Sequence, residues 1–134
     1  MCRILCVDDD HDSLEVAKAI LELSDPHYHI DCAQSVDEAR ELIAAGGRYQ
    51  LYFIDHWMPS CSGLELCRWI RTFDTATPII VHSGAVGASD RYAAYNSGAD
   101  HFLAKPTGID ELDTVARHYL HPSSRPCTRT PQSA

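Results

Sequence analysis

Ile4-Leu5-Cys6-Val7-Asp8-Asp9-Asp10-His11-Asp12 (ILCVDDDHD) runs four apolar residues straight into three consecutive aspartates. A continuous apolar run of this length suits a strand covered on both faces, and such strands belong to parallel sheets. The acids that end it repel one another, so they form either a solvated turn or a site that wants a cation. The rest of the chain decides between these. Further short apolar runs stand at Tyr28–Cys32, Leu51–Ile54, Ile79–His82 and His101–Leu103, each separated from the next by an amphipathic stretch.

Those stretches read as helices. Leu14, Ala17, Ile20, Leu21 and Ser24 fall on one face of a helix that begins after Asp12 or Ser13. Ser35-Val36-Asp37-Glu38 has the S-x-x-E form of a capping box, with Val36, Ala39, Leu42 and Ile43 at helical spacing behind it. Gly46-Gly47 stops that helix. Leu64, Cys67 and Ile70 make a third stripe, residues 89–97 a weaker helix ending at Gly98, and Leu112, Val115, Ala116, Tyr119 and Leu120 the last. Strands alternating with helices predict a doubly wound α/β fold with a five-stranded parallel sheet and right-handed crossovers. Residues 1–121 form this domain. Residues 122–134, rich in Pro, Ser and Thr and without apolar periodicity, read as a disordered tail or the start of a linker.

Composition narrows the function. At 134 residues the chain fits one domain with a core of its own. No apolar run approaches the roughly 18 residues of a membrane span, and the start is too polar after Val7 for a signal peptide. A cytoplasmic protein with no membrane partner is expected. The net charge is −8 and the 11 basic residues are scattered, which argues against direct nucleic-acid binding. Arg117, Arg125 and Arg129 follow the last acid, and they read as part of a solubilising tail. Six cysteines show no C-x-x-C spacing and read as reduced thiols. The histidines have no zinc-site spacing.

The chemistry-bearing residues follow the strands. Asp8, Asp9 and Asp10 follow the first, Asp55 the third, Ser83 the fourth and Lys105-Pro106 the fifth. In a doubly wound sheet the carboxyl ends of the strands form the ligand crevice, so residues far apart in sequence converge there. Asp8, Asp9 and Asp55 would crowd negative charge, which a hard divalent cation relieves; oxygen donors with waters suit Mg²⁺ or Mn²⁺. Lys105 adds a fixed positive charge, and a unit ion pair at about 4 Å is worth roughly 4 kcal/mol before desolvation at an effective dielectric of about 20. A cation with an ammonium stabilises a phosphoryl group in transfer. Asp55 is then the nucleophile that carries it as an acyl phosphate, and Ser83 a hydrogen-bond donor to it. Asp10 and Asp12 read only as acids favoured by the dipole at the start of the first helix.

The chain resembles the receiver domains of two-component response regulators over about residues 3–120. The resemblance is carried by VDDD (Val7–Asp10), DHWMPSCSG (Asp55–Gly63), HSG (His82–Gly84) and GADHFLAKP (Gly98–Pro106). It implies a flavodoxin-like (βα)5 sheet of strand order 2-1-3-4-5. It implies that Asp8 and Asp9 hold the metal, Asp9 more directly, together with Asp55 and the backbone carbonyl of Trp57. Asp55 is the phosphoacceptor, Ser83 and Lys105 bind the phosphoryl group, and Ser83 with Phe102 forms the switch. A cis Lys105-Pro106 peptide is expected.

Some residues depart from the family pattern. Gly84 and Gly87 in SGAVGAS (Ser83–Ser89) predict a mobile loop. Bulky Trp57 is expected to alter the lifetime of the acyl phosphate. His56, beside the acceptor, reads as a packing side chain rather than a chemical group. Thr107 replaces a commonly apolar residue.

The resemblance implies a phosphorylation-controlled signalling module rather than an enzyme, limited to self-catalysed phosphotransfer and slow autodephosphorylation. Its phosphodonor would be a histidine kinase or histidine phosphotransfer protein. Its output would be a downstream protein bound through the face of the fourth helix, fifth strand and fifth helix, where Tyr92 and Tyr95 stand. A homodimer through the last helix and its neighbours is also open. The sequence carries no helix-turn-helix and no output domain, so a stand-alone relay regulator and a receiver from a larger or hybrid kinase protein are both compatible. A haloacid-dehalogenase-type phosphatase would use Asp8 as nucleophile, but Asp8-Asp9-Asp10-His11-Asp12 lacks the Thr or Val of its motif, and a cap insertion has no room. A receiver that is never phosphorylated is disfavoured because every chemical position is filled.

Overall fold

The computed structural model describes residues 2–58, 62–84, 87–105 and 108–121. The elements alternate: β1 (Cys2–Val7), α1 (His11–Ser24), β2 (Tyr28–Ala33), α2 (Val36–Ala44), β3 (Leu51–Asp55), α3 (Gly63–Arg71), β4 (Ile79–Ser83), α4 (Ala88–Asn96), β5 (His101–Ala104) and α5 (Ile109–Leu120). The five strands are parallel in the order β2-β1-β3-β4-β5. The expected doubly wound sheet is therefore present. Among the described residues no helix is long and apolar enough to cross a membrane.

Strand alternation sorts the core onto two faces. Leu5, Val7, Ile54, Ile79 and Val81 point one way and pack under the buried residues of α2, α3 and α4: Val36 and Ala39, Leu66 and Ile70, and Ala94. Ile4, Cys6, Phe53, Ile80 and Leu103 point the other way, against Leu14, Ala17, Ile20 and Leu21 of α1 and Leu112, Val115 and Ala116 of α5. Burying both faces explains why β1, β3 and β4 read as nearly unbroken apolar runs. The fully buried leucines and isoleucines among them contribute about 1.5–3 kcal/mol each.

Element boundaries move slightly from the sequence expectation. The first helix starts at His11, not after Asp12 or Ser13, because Asp10 is its N-cap. The Asp10 carboxylate accepts from the Asp12 N–H at 3.2 Å and from the Ser13 hydroxyl at 2.9 Å. This cap holds the Asp10 carboxyl below its ordinary pKa through those same bonds. In the expected capping box of α2, Ser35 Oγ accepts from the Glu38 N–H, but Glu38 reaches back to the N–H of Gln34 rather than that of Ser35. Strands β3 and β4 each run one residue further than their apolar runs, taking Asp55 and Ser83 into the ladder.

Gly98 ends α4 in the left-handed region, at φ +111°, and a Cβ there would also meet Arg71 Cγ at 2.6 Å. Arg71 fills that space for a reason. Its guanidinium donates to the carbonyls of Gly98, Asp74 and Thr77 and to the Asp100 carboxylate, at 2.8–3.0 Å. One side chain thus ties the end of α3 to the turns before β4 and β5. Cys2, Cys6, Cys32 and Cys67 are free thiols. Cys61, Cys127, Pro59, the Lys105-Pro106 peptide, Thr107, part of the Ser83–Ser89 loop and residues 122–134 lie outside the described residues.

Candidate functional site

Four strand ends meet at one edge of the sheet. Asp8 follows β1, and its N–H still donates to the Ala33 carbonyl of β2 at 3.0 Å, extending the ladder by one residue. Its Oδ1 accepts from the Asp10 N–H at 3.0 Å, which fixes the carboxylate. Asp55 ends β3 in register with His82 of β4. The following N–H, of His56, donates to the His82 carbonyl at 3.0 Å. Ser83 ends β4 fully buried, and its carbonyl accepts from the Lys105 N–H at 2.9 Å.

The Lys105 ammonium bridges the two buried carboxylates, 3.1 Å from Asp8 Oδ2 and 3.1 Å from Asp55 Oδ1. Asp8 and Asp55 are only 1% and 4% exposed. Burial, and then the charge of Asp8, push the Asp55 carboxyl up to about 6 against the opposing pull of Lys105. Burial pulls the Lys105 ammonium down, but its bonds and charge contacts with Asp55 and Asp8 outweigh this and raise it. One ammonium therefore offsets two carboxylates only in part, and the buried pair retains a demand for positive charge.

The site holds one residue that sequence reasoning missed. Asp8, Asp55 and His82 each place a ligand atom within 4.8 Å of the others, the one such group among the described residues. His82 is buried, stacks on Phe53 at 4.1 Å with planes 7° apart, and sets Nε2 3.7 Å from Asp8 Oδ2. Burial, and then the Lys105 charge, push its imidazole down to about 3. Its only signal in the sequence was a polar residue inside an apolar run directly before Ser83.

The other expected site residues are placed as follows. Asp9 is exposed and stands outside that three-residue group, though its charge adds to the upward shift of Asp55. Trp57 is 59% exposed, and its indole stacks on the buried imidazole of His56 at 4.5 Å. The packing role expected of His56 agrees with this. Burial lowers the pKa of His56, against a pull from Asp90. His56 Nδ1 is buried with no hydrogen-bond partner among the described residues. Phe102 is buried, with the Arg91 guanidinium 4.9 Å from its ring centre. Gly63 closes the site from below. Its N–H donates to the His56 carbonyl at 2.9 Å, and a Cβ there would overlap the Asp55 carbonyl.

The sequence profile described as response regulator receiver domain matches residues 4–117. The chain belongs to the response regulator receiver family. The receiver is 36% identical over 122 residues to response regulator MprA of Mycobacterium sp. strain KMS, covering 91% of this chain and 52% of the relative. It is 36% identical over 110 residues to MprA of Mycobacterium leprae, covering 82% and 47%. The chain thus spans about half the length of these curated relatives. Among solved structures, a two-component response regulator from Clostridium difficile superposes with TM-score 0.84 at 28% identity, covering 93% of this chain and all of that one (100%). The response regulator protein TrrA from Thermotoga maritima, in complex with Mg(2+)-BeF, gives TM-score 0.77 at 32% identity, covering 90% and 100%. The receiver is thus a module of two-component signalling, with an acid-rich site in the place where its fold binds ligands.

Proposed function

We propose that this receiver accepts a phosphoryl group on Asp55 from a histidine kinase or histidine phosphotransfer protein, in a reaction that depends on Mg²⁺ or Mn²⁺. The observation that carries this reading is the Lys105 ammonium held 3.1 Å from both buried carboxylates, Asp8 and Asp55. The donor set fits a divalent ion: two buried carboxylates whose charge a single ammonium does not balance. Asp8, Asp9, Asp55 and the Trp57 carbonyl would hold it. The ion would supply charge neutralisation for phosphoryl oxygens.

The chain's own residues account for the remaining steps. An Asp55 carboxylate oxygen attacks phosphorus as the phosphorus–nitrogen bond of the donor phosphohistidine breaks. The electron pair leaves with the imidazole, and an acyl phosphate forms. Asp8 keeps Asp55 from pairing fully with Lys105, so that Lys105 is available to a phosphoryl oxygen. The Ser83 hydroxyl donates to another. Movement of Ser83 toward the phosphoryl group opens space that Phe102, opposite Val81 on β5, moves to fill. The face of α4, β5 and α5 then changes for a downstream protein partner. Tyr92 and Tyr95 on that face are 72% and 47% exposed, aromatic and polar-tipped, as interface residues are. The free thiols Cys2, Cys6, Cys32 and Cys67 fit a cytoplasmic setting.

The test is to incubate the protein with acetyl phosphate and Mg²⁺, reduce the acyl phosphate with borohydride, and map the modified peptide. Modification at Asp55 supports this reading. Modification at Asp8 would point to phosphatase chemistry, and no modification at millimolar Mg²⁺ would point to a receiver that is never phosphorylated.

A further inference from the structure

We infer that His82 is a nitrogen ligand in the metal site of this receiver, and that the site therefore prefers a first-row transition ion of the Mn²⁺ to Co²⁺ range over Mg²⁺. The inference rests on the metal-dependent reading above and concerns which ion that site selects.

Three observations carry it. First, the group of donors that the fold brings together is Asp8, Asp55 and His82, with ligand atoms within 4.8 Å of one another, and exposed Asp9 is not in it. Second, the imidazole is already oriented. Its face lies on Phe53, with ring centres 4.1 Å apart and planes 7° apart. Its edge carries Nε2 to 3.7 Å from Asp8 Oδ2, beyond hydrogen-bond length but suited to two donors sharing one ion. Third, the charge already there can give way. The Lys105 ammonium contacts both carboxylates in this structure and offsets their charge only in part. Lys105 and His82 also line a cavity of about 510 Å³ between α1 and α5, which gives the ammonium room to shift as an ion binds.

The selectivity follows from ligand chemistry. Mg²⁺ binds oxygen, keeps several waters and gains little from an imidazole. The affinity of a mixed nitrogen and oxygen site rises along the first row from Mn²⁺ through Fe²⁺ to Co²⁺, and imidazole suits the later of these ions best. A buried His beside two carboxylates therefore raises affinity for those ions without a matching gain for Mg²⁺. The resemblance to receivers pointed to oxygen donors alone. His82 reaches the site only because β3 and β4 pair in the register that sets it opposite Asp55.

The experiment uses the whole chain, stripped with chelator and loaded with Mn²⁺, and pulsed electron paramagnetic resonance of the bound ion. The expected result is a ¹⁴N coupling of imidazole type in the wild type that is absent in His82→Leu. The ratio of Mn²⁺ to Mg²⁺ affinity should fall by about tenfold or more in the variant. His82→Gln, which keeps a polar side chain of similar volume, serves if His82→Leu does not fold. Bound Mn²⁺ without a nitrogen coupling, a coupling that survives both substitutions, or an unchanged affinity ratio overturns the inference and leaves metal-dependent phosphorylation standing. Failure of both Mn²⁺ and Mg²⁺ to bind the wild type overturns the metal-dependent reading itself, and this inference with it.

Discussion

Gly63 packs directly beneath Asp55: a Cβ at residue 63 would overlap the Asp55 carbonyl and lie 2.8 Å from Ile54 Cγ2. The first residue of α3 and the last residue of β3 are therefore in backbone contact. The helix can start only where the strand end leaves room, which fixes the height of the Asp55 carboxylate above the sheet. Gly63→Ala should destabilise the fold by about 3 kcal/mol, at the upper end of overpacking costs. It should also slow phosphoryl acceptance more than a distant mutation of equal cost. Urea unfolding alongside acetyl phosphate labelling checks both. Full labelling rates in a variant that is no less stable would show that the contact is relaxed elsewhere.

Lys105→Met removes the ammonium that, among the described residues, faces both Asp8 and Asp55. Two buried carboxylates then face each other, and the Asp55 carboxyl should titrate above the value of about 6 set in the presence of Lys105. Carboxyl ¹³C shifts followed against pH, in chelator, read this directly. An Asp55 titration that stays put or falls would mean that Lys105 does not set its charge state.

Stability should depend on pH through two buried groups that oppose one another. The folded-state pKa of Asp55 is raised, from an ordinary 3.8 to about 6, so its contribution is greatest below the lower value and is lost as pH rises through the upper. The pKa of His82 is lowered, from 6.5 to about 3, so its contribution is present above the upper value and is lost as pH falls through the window. The windows overlap and the effects partly cancel in the wild type. With chelator present, Asp55→Asn should raise Tm more at pH 7.5 than at pH 4.5, and His82→Leu should raise Tm more at pH 4.5 than at pH 7.5. Parallel Tm-against-pH curves for wild type and both variants would contradict this assignment.

Arg71 serves three carbonyls and one carboxylate, and its side chain is 17% exposed. Arg71→Met should cost about 3 kcal/mol, because the carbonyls of Gly98, Asp74 and Thr77 lose a charged donor. Arg71→Lys should recover little of this, since an ammonium cannot reproduce the planar fork. Denaturant titration of the three proteins decides it. Recovery of most of the stability by Lys would show that charge rather than geometry matters there.

The Trp57 indole is held by the buried His56 ring and is otherwise largely exposed, two residues after Asp55. Trp57→Ala should change the lifetime of the phosphorylated form with little loss of stability, because little of the indole is buried. Decay of labelled protein, followed by phosphate release, measures it. An unchanged lifetime would leave Trp57 without a role in dephosphorylation.

Much of this was legible in the chain. The apolar runs marked all five strands, because a sheet covered on both faces leaves few polar positions along its central strands. Asp8, Asp55, Ser83 and Lys105 stood out because each breaks the pattern at a strand's carboxyl end, and doubly wound sheets gather those ends. Helix starts were less legible. Asp10 looked like one more acid in a run, and only its bonds to Asp12 and Ser13 show that it caps α1 four residues before the apolar periodicity begins at Leu14. Arg71 gave no signal, since its partners lie in two different turns.

The sequence by itself determined the alternation of strand and helix, the faces that would be buried and, apart from His82, the residues able to do chemistry. These follow from local periodicity and from where polarity interrupts it. Only the tertiary structure decided which of those residues share a site. The register of β3 against β4 sets His82 opposite Asp55, and stacking on Phe53 turns its imidazole toward Asp8. The Asp9 side chain, next to Asp8 in the chain, is exposed. Distances between side chains from different strands depend on register and packing, which neighbours along the chain do not encode.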